Sequence, residues 1–85
     1  MDPLDDSGVF YTRVDSSNVH SVGYKVETHT LFVRFIDHRN RSEWGSLYGY
    51  LDVPSHVYLD LLRSTSKGIF LHQNVKGRYR YQRVA

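Results

Sequence analysis

The 85-residue sequence contains no cysteine, only two prolines and a single tryptophan. The absence of cysteine excludes disulfide bonds, thiol catalysis and zinc sites built from thiolates. The chain has no apolar run long enough to cross a membrane, and its acidic start, Met1–Asp6, does not resemble a signal peptide. We therefore expect a cytoplasmic protein without a membrane partner.

Acidic side chains are missing from the last part of the chain. Residues 61–85 hold six Lys and Arg and no Asp or Glu, a net charge of +6. In residues 1–60, five Lys and Arg stand against all nine Asp and Glu, a net charge of −4. This asymmetry indicates a surface that attracts anions, although a solvated basic end that only aids solubility would give the same pattern.

Aromatic residues are plentiful, with seven Tyr and four Phe. A chain of this length supports one small domain, and large rings make a dense core feasible. The sequence predicts an acidic leader over residues 1–12, which has turn-forming residues but could lie along the domain, and a single domain over residues 13–85.

Alternating apolar residues predict three strands, at Val22–Val26, Leu31–Ile36 and Trp44–Val53. The short polar segments between them suit hairpins, which makes the sheet an antiparallel β-meander. The apolar period then changes to that of a helix.

The first helix is predicted to begin at Pro54, which suits the first helical position. Ser66 is the expected N-cap of a second helix, and Gly77 its left-handed stop. Strands followed by helices are typical of the α+β class. The predicted fold is therefore a three-stranded antiparallel β-meander followed by two short α-helices and an extended basic C-terminal tail.

An ordered set of short motifs resembles the KTSC domain family, which is named for the C-terminus of some lysyl-tRNA synthetases and also occurs as a stand-alone bacterial protein. The resemblance covers about residues 13–84. The motifs are Val14–Val19, Gly23–Tyr24, Leu31–Phe35, Tyr48–Tyr50, Asp52–Pro54, Tyr58, Ser66–Gly68, Phe70, Asn74 and Lys76–Tyr79. The acidic leader and the longer loop at Arg39–Glu43 depart from the compact pattern without touching these motifs.

This resemblance implies an α+β fold of the predicted kind. It implies no established activity, although RNA binding has been suggested for the family.

Ser66–Gly68 is the sharpest local feature. A helix start presents unpaired N–H groups that attract anions, Lys67 adds a cation, and Gly68 would allow a phosphate to approach the backbone. The segment lacks the glycine-rich run of a Walker loop. An ordinary N-cap, with Gly68 packed tightly against a strand, is the competing interpretation.

Tyr48 and Tyr50 share one face of the third predicted strand and could stack RNA bases, with Phe32 extending the platform if the register allows. Two helices should cover one sheet face poorly, which favours exposure. The alternatives are that these rings belong to the core, or that the leader or a second copy covers them.

The tail interleaves Arg78, Tyr79 and Arg80, with Lys76 just before it. Arg and Lys would contact phosphates and Tyr would stack, which gives salt-sensitive binding of low sequence specificity. An edge strand whose Tyr residues dock on the sheet is the alternative.

The five histidines are scattered, so we expect no metal site and no cofactor. His56 and His72, with Lys67 between them, form a weak ribonuclease-like set, and we assign no catalytic residue.

These observations favour a small non-enzymatic module that binds RNA, either tRNA or a single strand. A protein-interaction adaptor or self-associating domain is the second hypothesis, and a ribonuclease-like enzyme is the third. The candidate nucleic-acid-binding residues are Tyr48, Tyr50, Ser66, Lys67, Gly68, Lys76, Arg78, Tyr79 and Arg80.

Overall fold

A computed structural model describes residues 1–39 and 43–85, and within them five antiparallel strands form one sheet in chain order. The elements are β1 (Tyr11–Arg13), β2 (Val19–Lys25), β3 (Thr30–Asp37), β4 (Glu43–Tyr50), α1 (Ser55–Arg63), α2 (Lys67–Asn74) and β5 (Tyr81–Arg83). The protein is therefore α+β, as the sequence predicts.

The predicted meander is confirmed as β2, β3 and β4, but the expectation of only three strands was wrong. β1 adds a strand before the meander, and β5 pairs with β4, so the predicted extended tail ends as an edge strand. Each of the two additional strands has three residues, which is too short for alternation to reveal from sequence. The predicted division between a leader at 1–12 and a domain at 13–85 falls within β1.

The helix boundaries follow the expected capping chemistry. Pro54 is the N-cap of α1, one position earlier than predicted. The Ser66 hydroxyl accepts a hydrogen bond from the Ile69 N–H at 3.3 Å, which confirms the predicted N-cap of α2. Gly77 has a φ of 81°, the left-handed conformation expected of it, in the turn that follows α2.

Both helices pack on the same face of the sheet. The core between them combines β-strand residues such as Val22, Leu31 and Val33 with helix residues such as Leu61 and Leu71, all of them fully buried. Tyr24, Phe35, Tyr48 and Tyr50 belong to this helix-covered face.

The opposite face of the sheet is covered by the N-terminal segment. Phe32 and Leu47 are buried there at 0% and 2% exposure. Leu4 lies over Gly49 and Val9 over Gly23, close enough that a Cβ on either glycine would overlap them. The expectation of an open sheet face was therefore wrong, because the leader supplies the apolar cover that two helices alone do not.

Phe32 cannot extend a platform made by Tyr48 and Tyr50. It pairs with Gly49, between the two tyrosines, so its ring points to the opposite face.

The loop at Arg39–Glu43, which distinguishes the chain from the compact family pattern, lies largely outside the described residues. In the described part of the chain, no helix has the length and apolar character needed to span a membrane.

Candidate functional site

Three aromatic side chains form a strip along the helix-covered face where it reaches the β5 edge. We call Phe35, Tyr48 and Tyr81 the aromatic strip. The Phe35 and Tyr48 ring centroids are 5.7 Å apart and those of Tyr48 and Tyr81 are 5.9 Å apart, both in edge-to-face geometry. Tyr81 is 61% exposed, whereas Phe35 and Tyr48 are half-buried. The strip therefore presents aromatic surface that the fold holds in place.

Tyr50 lies beneath this strip instead of on it. It is only 3% exposed and belongs to the core, with its ring centroid 5.7 Å from that of Tyr81. Burial raises the pKa of Tyr50 to about 12, and the neighbouring Tyr48 and Tyr81 act in the same direction. A ring buried to this degree supports Tyr81 from below and has no free face for a base.

Lys76 places a cation directly over the strip. Its Nζ atom lies 5.2 Å from the centroid of the Phe35 ring, within cation–π range, and the side chain is exposed. The residue follows α2, where its backbone N–H donates to the Leu71 carbonyl at 2.8 Å. A phosphate next to a base stacked on the strip would meet this ammonium group.

A second depression adjoins the strip. This polar cavity, of about 970 Å³, lies between the turn at Asp15–Asn18 and the first turn of α2. Ser66, Lys67, Gly68 and Lys76 all line it, so the fold brings together four of the predicted binding residues. Phe35 and Lys76 line both the polar cavity and the surface over Tyr48 and Tyr81, and they join the two.

Lys67 is not extended into solvent as the phosphate-cradle interpretation supposed. Its Nζ donates a hydrogen bond to the Ser64 carbonyl, and the side chain is half-buried. The ammonium group therefore closes the turn between α1 and α2 as well as adding positive charge to the wall of the polar cavity.

Gly68 has no steric reason of its own to be glycine. A Cβ built there would meet Asn18 Nδ2 at 3.6 Å, an ordinary contact, and Gly68 is not among the glycines with positive φ. The tight packing against a strand, which was the competing interpretation, is therefore absent. A glycine inside a helix costs about 0.5–1 kcal/mol relative to alanine, so its presence here has no structural benefit in the chain itself.

The tail residues diverge. Tyr79 is half-buried and packs against the core. Arg78 is exposed and its Nε donates to the Gln73 carbonyl at 3.3 Å. Arg80 forms an ion pair with Asp52 at 3.1 Å, in which both side chains are about four-fifths exposed. Neither arginine lines the polar cavity or the strip, so both could only add charge at the periphery.

The ribonuclease-like set is divided. His72 and Lys67 line the polar cavity, but His56 lies on α1 and is not part of its wall. Within residues 1–39 and 43–85, no three His, Asp or Glu side chains cluster closely enough to hold a metal ion.

Sequence reasoning missed three contributors to the site. Phe35 was interpreted as a core residue, the Asp15–Asn18 segment only as a turn, and Tyr81 was placed on the tail without a role. The motif resemblance did contain Phe35 and Asn18, but nothing in a linear pattern shows that they face Lys76 and Gly68.

Comparisons with known proteins agree on one family. The family model of the KTSC domain matches residues 15–79. The fold is similar to the crystal structure of a KTSC domain protein from Yersinia pestis, with a TM-score of 0.77 and 26% identity over 92% of this chain and all of that one.

Two curated relatives are the lysine–tRNA ligases of Nostoc sp. and Trichormus variabilis. Each is 30% identical over 73 residues, which is 86% of this chain. The chain spans only 12% of the length of these ligases.

Proposed function

We propose that this chain, which belongs to the KTSC domain family, is a small binding module for single-stranded RNA. Bases would stack on the aromatic strip, and the phosphates beside them would contact Lys76 and the basic surface around it. The observation that carries this proposal is the position of the Lys76 ammonium group over the Phe35 ring, beside the exposed ring of Tyr81.

Stacking needs an unpaired base, which is why a single strand fits this surface better than a duplex. Aromatic side chains contribute about 1–3 kcal/mol for each base that stacks on them. Tyr81 offers exposed ring surface, and its contacts with Tyr48 and Tyr50 restrict its motion. A ring held in place loses little conformational entropy when a base binds.

The charge distribution supports an anionic ligand. The +6 charge of residues 61–85 surrounds the strip and the polar cavity, since α2, the following turn and β5 all come from this part of the chain. Asp52 offsets part of it by pairing with Arg80. The remaining cations would release counterions from a bound nucleic acid, and binding would weaken as salt rises.

The curated relatives support an RNA-related role. Both ligases carry tRNA in their names, and this chain resembles a segment of each. We therefore include tRNA, through an unpaired loop or end, among the RNA ligands to be tested.

The first test replaces Lys76 and Arg78 with alanine together and measures fluorescence anisotropy with labelled single-stranded RNA. We expect affinity to fall about tenfold or more at low salt, because two cations leave the basic surface. The dependence of log affinity on log salt should also flatten, by roughly 0.7 for each lost phosphate contact on a single strand.

A matched control removes two charges elsewhere. Arg13 lies on β1 and Arg63 ends α1, and neither lines the strip or the polar cavity. The double variant Arg13→Ala/Arg63→Ala should retain most of the affinity. Equal losses in the two double variants would mean that only net charge matters, and an unchanged affinity in the first would contradict the proposal.

A protein-interaction adaptor is the second candidate, and the exposed outer edge of β5 is the observation that favours it. All three residues of β5 are exposed, and beyond it the sheet has no further strand among the described residues. A partner strand could add to such an edge through backbone hydrogen bonds.

A further inference from the structure

The aromatic strip and the polar cavity form one continuous surface with different chemistry at its two ends. Phe35 and Lys76 belong to both. One end is aromatic, and the other is lined by side chains that donate and accept hydrogen bonds, among them Asp15, Ser16 and Asn18. A ligand that bridges the two ends must therefore combine a stacking group, a group near the Lys76 cation, and a polar group.

The turn at Asp15–Asn18 is held rigidly by its own backbone. The Ser16 hydroxyl accepts hydrogen bonds from the N–H groups of Asn18 and Val19, at 3.2 and 3.1 Å. The Asn18 carbonyl accepts from the Ile36 N–H at 2.8 Å, which ties the turn to β3. The backbone of Asn18 is thus fixed while its side chain remains exposed at the polar cavity.

The opposite wall comes from α2. The Asn18 side-chain nitrogen lies 3.6 Å from the point where a Cβ on Gly68 would stand. The two walls belong to segments about fifty residues apart in the chain, and the volume of about 970 Å³ lies at the upper end of the range typical of small-molecule pockets.

We propose that this surface binds two consecutive nucleotides of single-stranded RNA and that the polar cavity prefers a base with an exocyclic amino group, such as cytosine. One base stacks on the aromatic strip, the next enters the polar cavity, and the phosphate between them lies at Lys76. This inference rests on the RNA-binding function proposed above and adds a site size and a base preference to it.

The charge of Asp15 determines which part of the nucleotide faces this wall. A carboxylate repels a phosphate but accepts hydrogen bonds from a base, and cytosine presents an amino donor where uracil presents a carbonyl acceptor. The Asn18 amide can donate and accept, so it can pair with the edge of the same base. Uracil would leave the Asp15 carboxylate facing an acceptor, which is unfavourable.

The experiment compares labelled oligocytidylate and oligouridylate of equal length by fluorescence anisotropy, with the wild-type protein and the variants Asn18→Ala and Asp15→Asn. We expect wild type to bind oligocytidylate about tenfold more tightly. Each variant should reduce that ratio to about twofold or less, since one or two hydrogen bonds are lost. The salt dependence should not change in Asn18→Ala, which removes no charge.

Asn74→Ala is the matched control, because Asn74 is an exposed residue of α2 that does not line the polar cavity. It should keep the wild-type ratio. Unlabelled cytidylyl-cytidine should also displace the labelled strand at concentrations where cytidine monophosphate does not.

Three results would overturn the inference while leaving RNA binding intact. They are equal affinity of wild type for the two strands, a preference that survives in Asn18→Ala, and equal competition by the mononucleotide and the dinucleotide. If wild type bound neither strand nor any other single-stranded RNA, the proposed function itself would fail.

Discussion

The glycines of this chain differ in what a methyl group on Cα would contact. At Gly45, a Cβ would stand 2.6 Å from the Phe35 carbonyl oxygen and 3.0 Å from the Asp37 nitrogen. Both are backbone atoms of the paired strand β3, which cannot move aside without breaking the ladder. Gly68 has only the tip of the Asn18 side chain nearby.

We therefore expect opposite effects from the same substitution. Gly45→Ala should destabilise the protein by about 1–3 kcal/mol through overpacking, whereas Gly68→Ala should be neutral or stabilise it by up to about 1 kcal/mol. Urea unfolding measures both. If Gly68→Ala is stable yet binds RNA less tightly, the glycine serves the ligand; a large loss of stability would show instead that the fold itself requires glycine at this position.

Tyr50 links burial to pH. The folded protein keeps its proton up to a pKa of about 12, whereas the unfolded chain releases it near the ordinary value of 10.0. The folded state thus binds more protons in this interval. Stability should be unaffected well below pH 10 and fall as the pH rises from 10 towards 12, by about 2–3 kcal/mol from this group.

The measurement is the free energy of unfolding of wild type and Tyr50→Phe at a series of pH values on both sides of 10. Burial also raises the pKa of Tyr11 and of Tyr24, so the variant should retain part of the decline. Parallel pH profiles for the two proteins would exclude the assignment of the effect to Tyr50.

The N-terminal segment acts as an element of the fold although most of it is irregular. Lys25 is only 8% exposed, and its ammonium group donates to the carbonyl oxygens of Asp2 and Asp5 at 3.2 and 2.6 Å. The Tyr11 hydroxyl donates to the Asp6 carboxylate at 2.8 Å. These bonds fix the segment over Phe32 and Leu47, so the second sheet face depends on it.

Deletion of residues 1–9 should lower stability by about 2–4 kcal/mol. The deletion exposes apolar surface at Phe32 and leaves the Lys25 ammonium without its carbonyl partners. Phe10→Ala provides a control within the same segment, because this ring is 92% exposed and should contribute little. Equal stability of the deletion variant and wild type in urea would show that the segment is dispensable.

At the scale of the whole molecule, the charge distribution bears on self-association. β5 is short and its surroundings carry Arg78, Arg80 and Arg83, so two copies joined edge to edge would bring like charges together. We expect a monomer across a wide concentration range by sedimentation velocity. A stable dimer that buries Tyr81 would favour the adaptor candidate over RNA binding.

The sequence by itself determined the class and the central part of the fold. The alternation in β2, β3 and β4, the change of period after Pro54 and the capping side chain of Ser66 are local signals, and each depends on residues within one element. The uneven charge is likewise a property of the linear chain. The meander, the two helices and the family could therefore be predicted from the order of residues alone.

Only the tertiary structure decided which faces are covered and which residues form the site. Strand register put Tyr50 in the core and Phe32 on the opposite face, and the three-residue pairings of β1 and β5 were too short to leave a pattern. The meeting of Asn18 with Gly68, and of Lys76 with Phe35, joins positions far apart in the chain. Such contacts follow from the packing of the sheet and helices together, so no local sequence signal records them.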